Sequence, residues 1–254
     1  MSDVQIEKKL GEVLIKITNF PNDKMNYVYA YTNWGYVQFH LGLSRYSKHS
    51  DHFKVSLNAS VRIIEIEKYW DDMASLLDFN TVPDVEYKSD RLKVLDGPET
   101  FIMGPLSCFN SIDELHEALP MFKISKEGFE NLENTFKLFY HEKFIPKLKE
   151  TLDLKFLDST INSKVEYLGG NASDYFLNIV AILLRRMVLA KLTNNPLYEE
   201  ICEFNRGIVM KLNSMPLENR NNYQKNFPEV FEKVYNRLKT VKPLENYVLE
   251  LDII

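Results

Sequence analysis

The sequence predicts an α+β fold in which an N-terminal antiparallel sheet packs against helices from the C-terminal half. Two observations support this prediction. Between residue 12 and about residue 106, apolar side chains tend to occupy every second position, the period of a half-buried strand. From residue 107 onward their spacing is that of amphipathic helices. We therefore expect a sheet region with one helix at 1–106 and a helical region at 107–254 that packs on the sheet as one unit.

The clearest strand signals are two alternating runs, Tyr36–Leu43 and Phe53–Ile63. In each run apolar residues take every second position and polar or small residues take the positions between them. Because a polar segment separates the runs, the pattern predicts an antiparallel hairpin. After Glu65 the apolar spacing changes to i, i+3, i+4 and i+7. This change predicts one amphipathic helix that follows the second strand directly and ends near Leu77.

Upstream of this hairpin the sequence predicts a helical turn and two strands, with turns after each strand. Residues 4–10 are predicted to form a short helical turn, and Gly11–Thr18 a first strand, since Val, Ile and Ile take every second position there. A turn is predicted around Pro21 and a strand over Tyr27–Thr32, followed by a tight hairpin turn at Asn33-Trp34-Gly35. Residues 1–64 would thus form a four-stranded meander.

Beyond Leu77 the period becomes mainly helical. Two short segments between breakers, Arg91–Leu95 and Thr100–Met103, are predicted as edge strands. Ser111 and Ser125 are predicted to cap the next two helices, and Pro146 to kink or restart the second of them.

The last third of the chain is predicted to contain the central buried helix, at residues 174–192, because its first half is apolar on nearly every side. Asn195 followed by proline is predicted to start the next helix. A further helix is predicted to begin near Pro228, and Tyr247–Ile254 fits either a docked strand or an apolar tail.

The net charge, the cysteine spacing and the absence of long apolar runs argue against several classes of protein function. The net charge of -5 argues against extended binding to nucleic acid or to anionic membranes, which requires a basic surface. Cys108 and Cys202 lie far apart and outside any CxxC or Cys/His spacing, so we expect neither a disulfide framework nor a structural zinc site. The first ten residues are polar and carry no apolar core of the kind that a secretory signal needs, and no run approaches the roughly 18 apolar residues of a membrane helix. We expect a cytoplasmic protein without a cofactor, and its oligomeric state is left open.

Three histidines form the densest group of candidate metal ligands. His40 lies on the first strand of the central hairpin, and His49 and His52 flank Asp51 beside the second strand. Because imidazole and carboxylate suit zinc or iron, a metal-dependent hydrolase that uses His40, His49 and His52 is the alternative function. The spacing lacks the i, i+4 pattern of a metalloprotease helix, and a polar hairpin loop explains the same residues.

Two further motifs have simpler structural explanations. Glu65, Glu67, Asp71 and Asp72 could hold a hard cation or exchange protons, yet acidic residues in a first helical turn also stabilise the helix dipole. The segment Gly169–Ser173 precedes a helix but lacks the P-loop and dinucleotide patterns. We expect helix stabilisation at the first motif and a capping loop at the second. No catalytic residue is assigned.

The polar face of the predicted sheet is the main candidate binding site. The residues expected to form it are Tyr29, Gln38, His40, Asn58 and Arg62. Side chains of these types combine rigid contact area with adaptable hydrogen bonds, which suits protein recognition. The other interpretation is a solvated face, or one that the C-terminal helices cover.

Five short segments carry a resemblance to a known group of proteins. They are Val37–Phe39, Phe53–Ile63, Glu67–Trp70, Phe144–Leu148 and Leu189–Pro196. Together they resemble bacterial proteins classed as a domain of unknown function. The resemblance implies an N-terminal antiparallel sheet with a helical remainder, brings no catalytic motif, and hints at an accessory protein encoded beside a bacterial toxin as an immunity factor. An acidic chain is compatible with that role because many such toxins are basic nucleases.

From these observations we expect a non-catalytic protein-binding module, of the immunity or accessory type, whose partner is another protein. The alternative is the metal-dependent hydrolase described above. Stoichiometric metal that is lost on His40→Ala would favour the hydrolase. A tight complex that survives His52→Ala would favour the binding module.

Overall fold

The structure, a computed structural model, describes residues 2–20, 22–24, 27–44, 50–77, 100–166, 179–216, 218 and 220–251. These residues form an α+β fold with an antiparallel sheet in the N-terminal part and helices dominating the C-terminal half, as the sequence predicts. They divide into two compact units. The first unit contains the described residues of Met1–Val61, Ile102–Thr151 and Glu250–Ile254, and the second contains those of Arg62–Phe101 and Leu152–Leu249.

The chain begins with a helix, α1 (Asp3–Thr18), so the predicted strand over Gly11–Thr18 is wrong. Ser2 and Gln5 form a capping box at its start, and Asn19 ends it in the left-handed conformation with φ of 59°. Its buried apolar side chains follow helical spacing: Ile6, Leu10, Val13, Leu14 and Ile17.

The sheet has six strands within the described residues. In chain order they are β1 (Asn22–Lys24), β2 (Tyr27–Tyr31), β3 (Gly35–Ser44), β4 (His52–Ile63), β5 (Phe101–Met103) and β6 (Phe122–Lys123). The spatial order is β1-β2-β3-β4-β5, and β6 pairs with β4. A four-stranded meander is therefore present, but its first strand is β1, which takes the place of the turn predicted around Pro21. The predicted edge strand near Thr100 is β5, whereas Arg91–Leu95 lies outside the described residues.

The hairpin of β2 and β3 turns at Asn33-Trp34-Gly35, as predicted, where Thr32 donates its backbone N–H to the carbonyl of Gly35 at 2.9 Å. The opposed residues are Tyr31 with Tyr36, Tyr29 with Gln38 and Tyr27 with His40. On one side of β2, β3 and β4 every second residue is buried: Val28, Ala30, Val37, Phe39, Leu41, Phe53, Val55, Leu57, Ala59 and Val61. The side chains between them form the opposite, polar side of the sheet.

Helices make up most of the other described residues. The α-helices after α1 are α2 (Ile64–Glu67), α3 (Ile112–Ala118), α4 (Lys126–Phe139), α5 (Ile145–Thr151), α6 (Leu154–Ile161), α7 (Ile179–Leu192), α8 (Tyr198–Asn213) and α9 (Asn222–Leu238). The 3-10 helices span Asp71–Leu77 and Pro105–Cys108, and a π-helix spans Tyr140–Phe144. None of the helices in the described part of the chain has the length and hydrophobicity needed to cross a bilayer.

In the first unit the helix boundaries agree with the sequence. Ser111 caps α3 and Ser125 caps α4, each by accepting a hydrogen bond from a backbone N–H three residues later. The π-helix between α4 and α5 marks the interruption predicted near Pro146. Aromatic rings then join these helices to the apolar side of the sheet: Phe129 to Phe53 at 5.4 Å and Tyr140 to Phe39 at 5.7 Å between centroids.

In the second unit the predicted single helix after Glu65 is wrong. Four residues of α2 are followed by a turn and then by the 3-10 helix Asp71–Leu77. The physical reason lies at Tyr69, whose backbone carbonyl accepts a hydrogen bond from Arg237 Nη1 at 2.8 Å. A continuous α-helix would use that carbonyl for the N–H four residues later. Ile66, Trp70, Met73 and Leu77 are nevertheless buried, as the apolar spacing predicts.

For the later helices, the predicted burial of the central helix is confirmed, but the predicted starts of the next two helices are not. Residues Ile182 to Ala190 of α7 are buried, as expected for the central helix. The last helix, α9, begins well before Pro228, because Asn221 and Gln224 form a capping box there. Asn195 does not cap α8, although its side chain accepts the backbone N–H of Leu197 at 2.8 Å.

Candidate functional site

The polar side of the sheet brings together four of the predicted site residues. We define the tyrosine face as Tyr27, Tyr29, Tyr31, Gln38, His40, Ser56 and Asn58. Its residues come from three neighbouring strands, β2, β3 and β4. Tyr31 is 46% exposed and the other members are half-buried. All of them lie in the first unit, on a hairpin and a strand whose opposite side is core.

Side chains of the tyrosine face hold one another in place. The rings of Tyr29 and Tyr31 stack with centroids 5.7 Å apart and an interplanar angle of 7°. The ring of Tyr27 stacks on His40 at 4.6 Å, and Gln38 donates a hydrogen bond to the Tyr29 hydroxyl. The Tyr27–His40 and Tyr29–Gln38 contacts join residues that are opposed in the sheet register, so the pairing of β2 and β3 itself positions these side chains.

A small cavity adjoins the β4 side of the tyrosine face. Its volume is about 200 Å³, and its walls include Leu43, Val55, Pro105, Leu115 and Leu119. Gly42 forms part of the floor, where a Cβ would lie only 2.8 Å from Ser56 Oγ. The absence of a side chain at this position keeps the floor open. The cavity therefore offers an apolar recess beside a polar surface.

Arg62, the fifth predicted site residue, does not share the accessibility of the tyrosine face. Its side chain is only 1% exposed, and its Nη2 donates to Asp71 Oδ2 at 2.7 Å. Burial at this depth requires a charge partner, which the 3-10 helix after α2 supplies. We therefore leave Arg62 out of the tyrosine face.

The histidines show no metal site within the described residues, where no group of three or more His, Cys, Asp or Glu residues could hold an ion. His40 stacks on Tyr27, and burial lowers its pKa, so the ring is neutral near pH 7. His52 lies 2.7 Å from Asp51 Oδ1, and that hydrogen bond lowers the pKa of the Asp51 carboxyl. His49 lies outside the described residues. The hydrolase alternative stays a prediction that this geometry does not support.

The acidic cluster after β4 resolves into separate ion pairs within the second unit. The pairs are Glu65 with Lys68, Glu67 with Arg185, Asp71 with Arg62 and Asp72 with Arg237. Each carboxylate thus has a cationic partner, and all four also lie in the first turn of their helices, as expected, which supports a structural role. The glycine-rich segment Gly169–Ser173 lies outside the described residues.

Sequence reasoning missed a second concave region in the first unit. This cleft has a volume of about 490 Å³ and lies between the 3-10 helix Pro105–Cys108 and the start of α5. Its lining includes Ser107, Cys108, Lys143 and Lys147. The i, i+4 spacing of the two lysines is the signal that could have pointed to it.

No family model matches the chain, and no curated protein or solved structure gives a significant match. The resemblance drawn from short sequence segments therefore remains a prediction.

Proposed function

We propose that this chain is a non-catalytic protein-binding module that holds its partner on the tyrosine face. The observation that carries the proposal is the stacked pair of Tyr29 and Tyr31, of which Tyr31 is 46% exposed. Large aromatic side chains that are already ordered lose little conformational entropy on binding. They also dominate the energetics of many protein interfaces.

The cavity beside Gly42 supports the same proposal, because protein interfaces commonly place an apolar anchor in a recess with a polar rim. Its volume of about 200 Å³ suits one apolar side chain of the partner. Ser56 lines both the cavity and the polar face, and Asn58 Nδ2 donates to Ser56 Oγ at 3.2 Å. A partner residue could thus enter the recess while its backbone meets hydrogen-bonding groups at the rim.

Charge favours a partner with a basic surface, since the chain carries a net charge of -5. An immunity-type role, in which the chain covers a basic toxin, is the specific form of this proposal. The resemblance to accessory proteins encoded beside toxins motivates it. The product of a neighbouring gene is the first candidate partner for testing.

The experiment begins with affinity purification of the tagged chain and identification of the retained protein by mass spectrometry. Calorimetry with the two purified proteins then measures the dissociation constant. We expect a saturable one-to-one complex that Tyr31→Ala weakens by about 30-fold, the effect of losing a central aromatic contact worth roughly 2 kcal/mol. His52→Ala should leave the affinity unchanged.

The matched control is Leu138→Ala, which removes a side chain of the first unit that is 60% exposed and lies on α4. It should leave the affinity within about twofold of the wild type. Equal affinities for Tyr31→Ala and the wild type would overturn the proposed surface. Failure of every purified candidate to form a saturable complex would overturn the proposed function.

A further inference from the structure

The cleft beside Cys108 combines concavity with positive charge in a chain that is acidic as a whole. Two of its lining residues, Lys143 and Lys147, stand four positions apart along one helical segment. Residues at that spacing lie on the same face of a helix. Both ammonium groups can therefore act on one bound ligand.

Lys143 belongs to the π-helix Tyr140–Phe144. Such wide turns are rare, and they occur often at functional sites because they redirect side chains. The ammonium of Lys143 lies 4.8 Å from the centroid of the Phe109 ring, which itself stacks on Phe139 at 5.6 Å. The aromatic pair thus positions the lysine at the cleft.

Cys108 lines the cleft together with both lysines, and the charges of both lysines act on its thiol. Burial raises the pKa of its thiol to about 11, and the charges of Lys147 and Lys143 both act against that rise. The thiol is therefore neutral near pH 7 and adds no negative charge to the cleft. Glu150 contributes the opposing charge, since its carboxylate lies 2.7 Å from Lys147 Nζ.

A second depression that Phe109 also lines differs in charge. Its lining also includes Lys143, but Glu114 and Glu117 face the same space. Two carboxylates against one lysine repel an anion there. An anionic ligand is therefore favoured on the Cys108 side alone.

We propose that the cleft between Ser107–Cys108 and Lys143–Lys147 binds a small ligand that carries a phosphate group, either inorganic phosphate or a phosphomonoester. Lys143 and Lys147 supply the positive charge, and the Ser107 hydroxyl supplies a neutral donor. The volume of about 490 Å³ leaves room for the organic part of a small phosphomonoester. This site shares no residue with the tyrosine face, so either proposal can fail without the other.

The test is calorimetric titration of the full chain with inorganic phosphate and with glucose 6-phosphate, using glucose as the uncharged control. The titrations are run at low ionic strength, about 20 mM, because salt screens exposed charges. We expect saturable binding of at least one phosphate probe with a dissociation constant near or below about 1 mM. Glucose should not bind.

Substitutions then locate the ligand. Lys143→Gln and Lys147→Gln should each weaken binding by about tenfold, the effect of losing one charge-assisted hydrogen bond. Glu150→Gln should strengthen it, since the competing carboxylate is removed from Lys147. Lys149→Gln is the matched control, because this exposed lysine lies on α5 but does not line the cleft, and its binding should equal that of the wild type.

Circular dichroism of each variant verifies that the fold is intact. The absence of saturable binding by both phosphate probes would overturn the proposal. An equal loss on Lys149→Gln would overturn it as well, because diffuse attraction by surface charge and not a site would then explain the binding.

Discussion

Arg185 binds Glu67, 118 residues earlier in the chain, through two hydrogen bonds to the carboxylate. Its Nε and Nη2 donate to separate oxygens at 2.8 and 3.1 Å, and the two side chains are 1% and 0% exposed. The guanidinium also lies 5.3 Å from the centroid of the Trp70 ring. A buried pair with this geometry fixes α7 against α2, because either charge alone would be very costly in the core.

Glu67→Gln should lower the free energy of unfolding by about 3–5 kcal/mol, since it leaves the Arg185 charge buried without its counter-charge. Equilibrium unfolding in urea measures the change. Replacing both partners by methionine should cost less than removing Glu67 alone, because no charge then remains to be solvated.

The matched control is Asp72→Asn. Asp72 also forms a two-oxygen pair, with Arg237 at 2.7 Å for each contact, but the side chains are 60% and 39% exposed. Its substitution should cost no more than about 1 kcal/mol, because water and side-chain entropy offset most of an exposed ion pair. Similar losses of stability for Glu67→Gln and Asp72→Asn would contradict the claim that burial makes the Glu67 pair the more costly one to break.

Gly128→Ala should destabilise the protein although alanine favours helices. A Cβ at this position in α4 would lie 2.0 Å from the backbone carbonyl oxygen of Lys123, which belongs to β6. Backbone must move to relieve the clash, and we expect a loss of at least about 2 kcal/mol in urea unfolding.

Gly207→Ala is the paired substitution, since nothing lies within 4 Å of the added Cβ on the exposed side of α8. It should stabilise the protein by about 0.5–1 kcal/mol through the lower entropy of the unfolded chain. If Gly128→Ala stabilises the protein as Gly207→Ala does, the close approach at Gly128 is contradicted.

His40 should make stability depend on pH below neutrality. Burial lowers its pKa from the ordinary 6.5, while the charge of Glu7 acts in the opposite direction. Between the lowered folded pKa and the unfolded value, the unfolded chain therefore binds more protons than the folded chain. The associated stability is complete above pH 6.5 and is lost as the pH falls toward the folded pKa.

The comparison is with His40→Phe, which keeps an aromatic ring against Tyr27 but cannot take up a proton. Urea unfolding at a series of pH values from about 7.5 to 5 should give a shallower slope for this variant. Identical slopes for the variant and the wild type would show that His40 does not contribute to the pH dependence of stability.

The core strands could be predicted because the alternation of apolar and polar residues that defines each strand lies within one short stretch of sequence. Alternation over Tyr36–Leu43 and Phe53–Ile63 gives most of the buried residues of β3 and β4. The same alternation, together with that over Tyr27–Thr32, places Tyr29, Gln38, His40 and Asn58 on the polar side of the sheet. Arg62 departs from this pattern because Asp71, on the following 3-10 helix, binds it in the interior.

The sequence predicts the first half of α1 as a helical turn but its second half as a strand, because Val13 and Ile17 fit a strand as well as a helix. Ile6, Leu10 and Leu14 complete the helical stripe, and the capping box at Ser2 is the sequence signal for a single helix that begins there. The break after α2 and the pairing of Glu67 could not be predicted in this way. Both depend on arginines from distant parts of the sequence, Arg237 and Arg185.

Hydroxyl-radical footprinting, read by mass spectrometry on the chain alone and in its purified complex, tests most directly whether the partner covers the tyrosine face. Met210 serves as the internal reference, because it is 66% exposed and lies on α8. We predict that oxidation of Tyr31 and His40 falls on complex formation while that of Met210 is unchanged. Unchanged oxidation of Tyr31 and His40 in a saturated complex would contradict the account.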